Sequence, residues 1–125
     1  MSMRIENYIS DLLYRYQCVT IPGYGAFLTH RKSSRVHDST NAFYPPSKIV
    51  SFNEQLHTND GLLARYITDI EHISFEEAIE KLENLVVFWK TQLNKGEEVV
   101  LKNIGSFKYT PEGKLQFEPS YHLNY

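Results

Sequence analysis

Four cations crowd one short stretch of this chain. Between Leu28 and Lys48 stand Arg31, Lys32, Arg35 and Lys48 against Asp38 alone, about +3, whereas the whole 125-residue chain carries -2 and the remainder therefore about -5. Guanidinium and ammonium groups on a polar stretch with no apolar periodicity neutralise phosphates, and His30 and His37 add charge there as the pH falls. Four such contacts imply weak affinity and a shallow salt dependence. The plainer reading of the same residues is a solvated ribbon whose charges guard its edges against pairing with other chains. Phe43 and Tyr44 are of a type that stacks on bases, although aromatic residues next to Pro45-Pro46 more commonly pack on the body of a protein.

The other reactive side chains suggest no enzyme. Cys18 has no histidine in a recognisable motif and sits at a strand start, so it reads as a small buried hydrophobe. His30, His37, His57, His72 and His122 show neither i, i+4 pairing on a helix nor a cysteine partner, and no metal site is expected. Glu76-Glu77 and Glu97-Glu98 read as helix-end charges. Gly23-Tyr24-Gly25 lacks the third glycine of a dinucleotide fingerprint and opens a strand, so no cofactor is expected. No window reaches the ~18 apolar residues of a membrane span, the first residues lack a signal-peptide core, and one cysteine allows no internal disulfide; residence in the cytoplasm is the expectation.

The elements that must position the cationic stretch follow from spacing. Ile5, Tyr8, Ile9, Leu12, Leu13 and Tyr16 mark a helix over residues 4–16. Cys18 to Ile21 reads as a strand ending at Pro22-Gly23, with Ala26 to Thr29 pairing back and Lys48 to Phe52 as a third strand. Asn59 or Asp60 is the expected cap of a helix from Gly61 to about Glu71, with Leu62, Leu63, Tyr66, Ile67 and Ile70 on its stripe. Ser74 and Glu77 form a capping box for a second helix, striped by Phe75, Ala78, Ile79, Leu82, Leu85, Val86, Trp89 and Leu93 and ended by Lys95-Gly96. Val87 and Phe88 fall off that stripe, which predicts a helix gripped from two sides. Val99 to Leu101, Ser106 to Tyr109 and Leu115 to Pro119 are the last strands, and Tyr109, Phe117 and Tyr121 form a candidate aromatic surface for a protein partner.

The chain repeats itself. Placing Gly105 on Gly25 sets Val99-Val100-Leu101-Lys102-Asn103-Ile104-Gly105-Ser106-Phe107 beneath Val19-Thr20-Ile21-Pro22-Gly23-Tyr24-Gly25-Ala26-Phe27, and Phe117 answers Phe52. Phe27 to Phe52 spans 25 residues and Phe107 to Phe117 only 10, so one copy carries a long arm and the other a tight hairpin.

Asn94-Lys95-Gly96-Glu97-Glu98 followed by the second hairpin, Pro22-Gly23-Tyr24-Gly25-Ala26-Phe27, and Pro45-Pro46-Ser47-Lys48-Ile49-Val50-Ser51-Phe52 together resemble the HU family of bacterial histone-like DNA-binding proteins. The tandem arrangement is similar to a divergent bacterial branch in which two such units precede further segments, in some members a SPOR domain. The resemblance implies an α+β fold of two HU-like units, residues 1–60 with a long basic arm (28–48) and 61–125 with a short one, sharing the helix 61–72. Because one hairpin and its helices cannot bury their apolar faces alone, the two copies are expected to pair as a pseudo-dimer within one monomeric chain. Gly25, Phe27, Phe52, Gly105, Phe107 and Phe117 would carry the shared motif. The implied function is weak, sequence-independent DNA binding through Arg31, Lys32, Arg35, Lys48, His30 and His37; the alternative is an adaptor that has lost DNA and binds a cytoplasmic protein. The second arm is reduced to Thr110-Pro111-Glu112-Gly113, and no proline stands at the expected tip of the first, Asp38-Ser39-Thr40, so two-armed bending of duplex is not expected.

Overall fold

Ile5, Ile9, Leu12 and Leu13 recur on one face of α1 (Ile5–Arg15), and all four are buried. This helix opens a computed structural model that describes residues 4–31, 48–56 and 60–120. It is followed by β1 (Cys18–Ile21), β2 (Gly25–Arg31), β3 (Lys48–Asn53), α2 (Leu62–Glu71), α3 (Phe75–Asn94), β4 (Val99–Leu101), β5 (Gly105–Tyr109) and β6 (Leu115–Pro119). The strands form two three-stranded antiparallel sheets, β1-β2-β3 and β4-β5-β6. The fold is α+β with two repeated units, as expected.

The two sheets share one register. Ile21 faces Gly25 as Leu101 faces Gly105, and Val19 faces Phe27 as Val99 faces Phe107. Phe27 then pairs with Phe52, and Phe107 with Phe117. Each first turn closes with a 2.9 Å bond, Tyr24 N–H to the Ile21 carbonyl and Ile104 N–H to the Leu101 carbonyl. Its third residue takes a positive φ, 77° at Gly23 and 67° at Asn103, which glycine adopts freely and asparagine tolerates better than most side chains. Gly25 and Gly105 are needed for a different reason. A Cβ on Gly105 would lie 2.5 Å from both the Phe117 ring and the Glu118 carbonyl, and one on Gly25 would run into the Phe52 ring.

The phenylalanines that demand this space hold the halves together. Phe27, Phe52, Phe107 and Phe117 lie with every pair of ring centroids 4.8–6.1 Å apart, all tilted or edge-to-face. Tyr24, in the first turn, also stands 5.3 Å from both Phe107 and Trp89 of the second half. One continuous core therefore runs from α1 through both sheets to α3.

The helices are tied through polar side chains. α2 packs against α1, β1 and α3. The Tyr8 ring meets the edge of Tyr66 at 5.7 Å; the Tyr8 hydroxyl donates to Glu71 (2.8 Å) and the Tyr66 hydroxyl to Asp11 (2.7 Å). Glu71 also takes Lys81 Nζ from α3 at 2.8 Å. The Lys81 contact holds the Glu71 carboxyl below its ordinary range, against an opposing effect of burial and with help from the Tyr8 hydroxyl. Burial and the bond to Glu71 push Tyr8 up to about 12.

Several expectations are corrected. Asp60 does not cap α2: Gly61 occupies that position with φ 79°, while the Asp60 carboxylate takes the Leu62 N–H one step earlier (2.9 Å); Asn59 lies outside the described residues. Ile70 is exposed and Ala64 buried in its place. Tyr16, past the end of α1, is exposed, and Cys18 is half-buried. α3 is not gripped from two sides, since Val87 and Phe88 are 63% and 58% exposed. The capping hydroxyl does bond as expected, Glu77 N–H to Ser74 Oγ at 3.0 Å.

Two measurements test this packing. Gly105→Ala should lower unfolding stability by about 2–4 kcal/mol, because backbone and ring must both move. Gly113→Ala, with nothing near its Cβ and φ 84°, should cost only about 1 kcal/mol for strain. Equal losses in a denaturant titration would reject the close-approach account. The Glu71 carboxyl is depressed on folding, so its stabilisation is complete above its unfolded value of about 4.3 and disappears as pH falls through the lower folded value. Glu71→Gln should thus cost about 1 kcal/mol at pH 7, and progressively less as the pH falls below the ordinary carboxylate range; a gap between the two proteins that widens in acid would contradict it.

Candidate nucleic-acid interface

Strand alternation sorts β2 into two faces. Phe27 and Thr29 turn inward and are buried, while His30 turns outward and is exposed. On β3, Val50 is buried, Ser51 half-buried and Ile49 exposed. His30 and Ser51 meet on the outward face, His30 Nε2 lying 3.1 Å from Ser51 Oγ. The next residue of β2, Arg31, is its last, and it pairs in register with Lys48, the first residue of β3. Two cationic positions thus sit opposite each other where the arm leaves the sheet, with His30 one step inside. Lys32, Arg35 and His37, as well as Phe43 and Tyr44, lie outside the described residues. Of the six candidate residues, the structure therefore sets Arg31 and Lys48 in register at the end of the sheet, and His30 one position earlier on β2, where alternation assigns it to the opposite face.

The second sheet contributes cations that sequence reading passed over. Lys108 on β5 is exposed and pairs with Gln116 on β6; Lys114, at the hairpin, is exposed as well. In the repeat, Lys108 falls under Leu28 and Lys114 under Ile49, so the aligned copies carry the signal, but only once the outward face is known. Glu112 and Glu118 on the same hairpin are also exposed, which leaves this face near neutral.

Between the two hairpins lies a cleft of about 560 Å³ lined by Tyr24, Glu54, Lys90, Tyr109 and Lys114. Burial pushes the Tyr24 phenol well above its ordinary range, reinforced by Tyr109 and Glu54 nearby. Tyr24 is therefore a neutral wall at any ordinary pH. Tyr109 and Phe117 do not form the expected exposed docking surface: both are partly buried against the core, Phe117 within the four-ring cluster, and Tyr121 lies outside the described residues. Among the described residues, no three His, Cys, Asp or Glu side chains are grouped to hold a metal ion, and no helix is long and apolar enough to cross a membrane.

The geometry agrees with comparisons to known proteins. Residues 2–60 match the model of CCDC81-like prokaryotic HU domain 1, and residues 61–125 match that of CCDC81-like prokaryotic HU domain 2. No curated protein matches the chain.

Proposed function

The chain belongs to the CCDC81-like prokaryotic HU domains, two in tandem and of a DNA-binding-type fold, and from that premise we propose that it is a non-enzymatic module binding duplex DNA weakly and without sequence preference. The arm between β2 and β3 carries the contact. The observation behind this reading is the register of Arg31 against Lys48, which delivers two cations to the root of a stretch that also holds Lys32 and Arg35. Cations paired across a two-stranded ribbon can straddle a phosphate backbone or enter a groove, where they position the protein without reading bases. One arm instead of two supports attachment without the clamping that bends duplex. In this reading the units divide at residues 60 and 61, with α2 serving both, and the packing of the two halves on each other supports a pseudo-dimer within one chain.

A second reading, an adaptor that binds a protein and not DNA, draws support from the acidic remainder of the chain and from exposed apolar residues on α3 and β4. Anisotropy of a labelled duplex separates the two. With four phosphate contacts, raising salt from about 50 to 200 mM should weaken binding roughly 10²-fold. Arg31→Ala/Lys32→Ala/Arg35→Ala should flatten the slope of log affinity against log salt by about 2.7. No binding at ~50 mM salt, or binding indifferent to the triple substitution, would end the DNA reading.

A further inference from the structure

The internal repeat makes each half a control for the other. Placing Gly25 on Gly105 also lays α1 over the second half of α3, so that Ile9 falls on Trp89, Leu13 on Leu93, Tyr8 on Phe88 and Thr20 on Val100. The inward positions agree: Ile9, Trp89, Leu13 and Leu93 are all buried. The outward positions do not. Thr20 is 6% exposed and its counterpart Val100 64%; Tyr8 is half-buried against Tyr66, and its counterpart Phe88 is 58% exposed. The cause is α2, which follows β3 and lies against α1 and β1. Among the described residues no helix follows β6, and none of them covers the equivalent surface on α3 and β4.

That surface is a groove of about 960 Å³ between the start of α1, α3 and β4. Ile5, Leu85, Phe88 and Val100 give it apolar walls, and Trp89 lies in its floor. Its charged lining is three carboxylates, Glu6, Glu71 and Glu98, against the single ammonium of Lys81, which Glu71 already holds. Glu98 falls on Cys18 and Glu6 on Val86 in the repeat, so this acidic rim has no equivalent on the covered side.

We infer that this groove docks an amphipathic helix of a partner protein, which lays apolar residues between Phe88 and Val100 and carries Lys or Arg along its flanks toward Glu6 and Glu98. The covered copy shows that the shape suits a helix: there α2 buries Leu63, Ala64 and Ile67 and sets Tyr66 on Tyr8. The acidic rim selects the sign of the flanks, the usual route by which grooves of this kind discriminate among helices. This docking is independent of whether the arm binds DNA.

The protein holds its own reporter, since Trp89 is its single tryptophan. Titrating the intact chain with helical peptides of about 18 residues, one Leu-faced with Lys flanks and one Leu-faced with Glu flanks, should give a saturable change in Trp89 emission for the first. The Glu-flanked peptide should bind at least about tenfold more weakly. Phe88→Glu and Val100→Glu, both at exposed positions, should each weaken the Lys peptide at least about tenfold with the thermal midpoint unchanged. Glu98→Lys should shrink the preference between peptides. The proposal is overturned by no saturable signal at ~1 mM peptide, by equal binding of the two peptides, or by binding that survives Phe88→Glu and Val100→Glu. A concentration-dependent dimer that Phe88→Glu dissociates would also overturn it, assigning the face to a second copy.

Discussion

The packing of four phenylalanine rings, two from each half, is the contact on which everything else in this molecule depends. Phe27 with Phe52 and Phe107 with Phe117 are cross-strand pairs on the inner faces of their sheets. Each pair would lie open to water without the other, and burying the two pairs against each other removes that apolar surface from water. Packed together the four rings bury each other edge to face, in the geometry aromatic quadrupoles favour. The glycines follow from the rings. Phe52 and Phe117 lean over the start of the preceding strand, and only a residue without Cβ leaves room for them. A strand, a turn, a glycine and a phenylalanine in fixed order are therefore one constraint written twice.

Joining both halves in one chain frees them to differ. In a symmetric homodimer each substitution appears twice, and any loss on one side is a loss on both. Here the arm survives between β2 and β3 while the corresponding connection between β5 and β6 is a tight hairpin. α1 is 11 residues long and α3 is 20, although each buries an equivalent pair before its hairpin, Ile9 and Leu13 in one and Trp89 and Leu93 in the other. Inner positions stay buried in both copies even where the residue changes, Ile9 against Trp89 and Tyr24 against Ile104, whereas Tyr8 and Phe88, or Thr20 and Val100, face different neighbours.

What was readable in the sequence is what depends on local pattern. Among the described residues, the apolar stripes located the three helices, the repeated hairpin located six strands, and the Ser74 cap marked the start of α3. The failures share a cause. Ile70 and Phe88 lie at or near helical stripes and look like core, but burial depends on whether another element arrives to cover them. That is a tertiary fact with no local signal. Val87 and Phe88 suggested a second covering layer for the same reason. Lys108 and Lys114 were overlooked because a cation in a short hairpin has no pattern until the outward face of its strand is known. At the arm, the returning strand from Lys48 was expected, but not that β2 runs past Thr29 to set Arg31 opposite Lys48, while Lys32, Arg35 and His37 lie outside the described residues.

The net charge of -2 is a poor guide to what the arm meets, because electrostatics in salt water are local. Arg31 lies four residues past Phe27 along β2, roughly 13 Å at the rise of a strand, whereas charges are screened over about 8 Å at physiological salt. Charges farther than this from Arg31 are therefore largely screened from it. The same screening acts at the groove on α3 and β4, where Glu6 and Glu98 set the local sign. One small chain thus carries paired cationic positions at the end of one sheet and an acidic apolar groove elsewhere. The shared aromatic core supports both, because it fixes the two hairpins relative to each other without depending on what either outer surface binds.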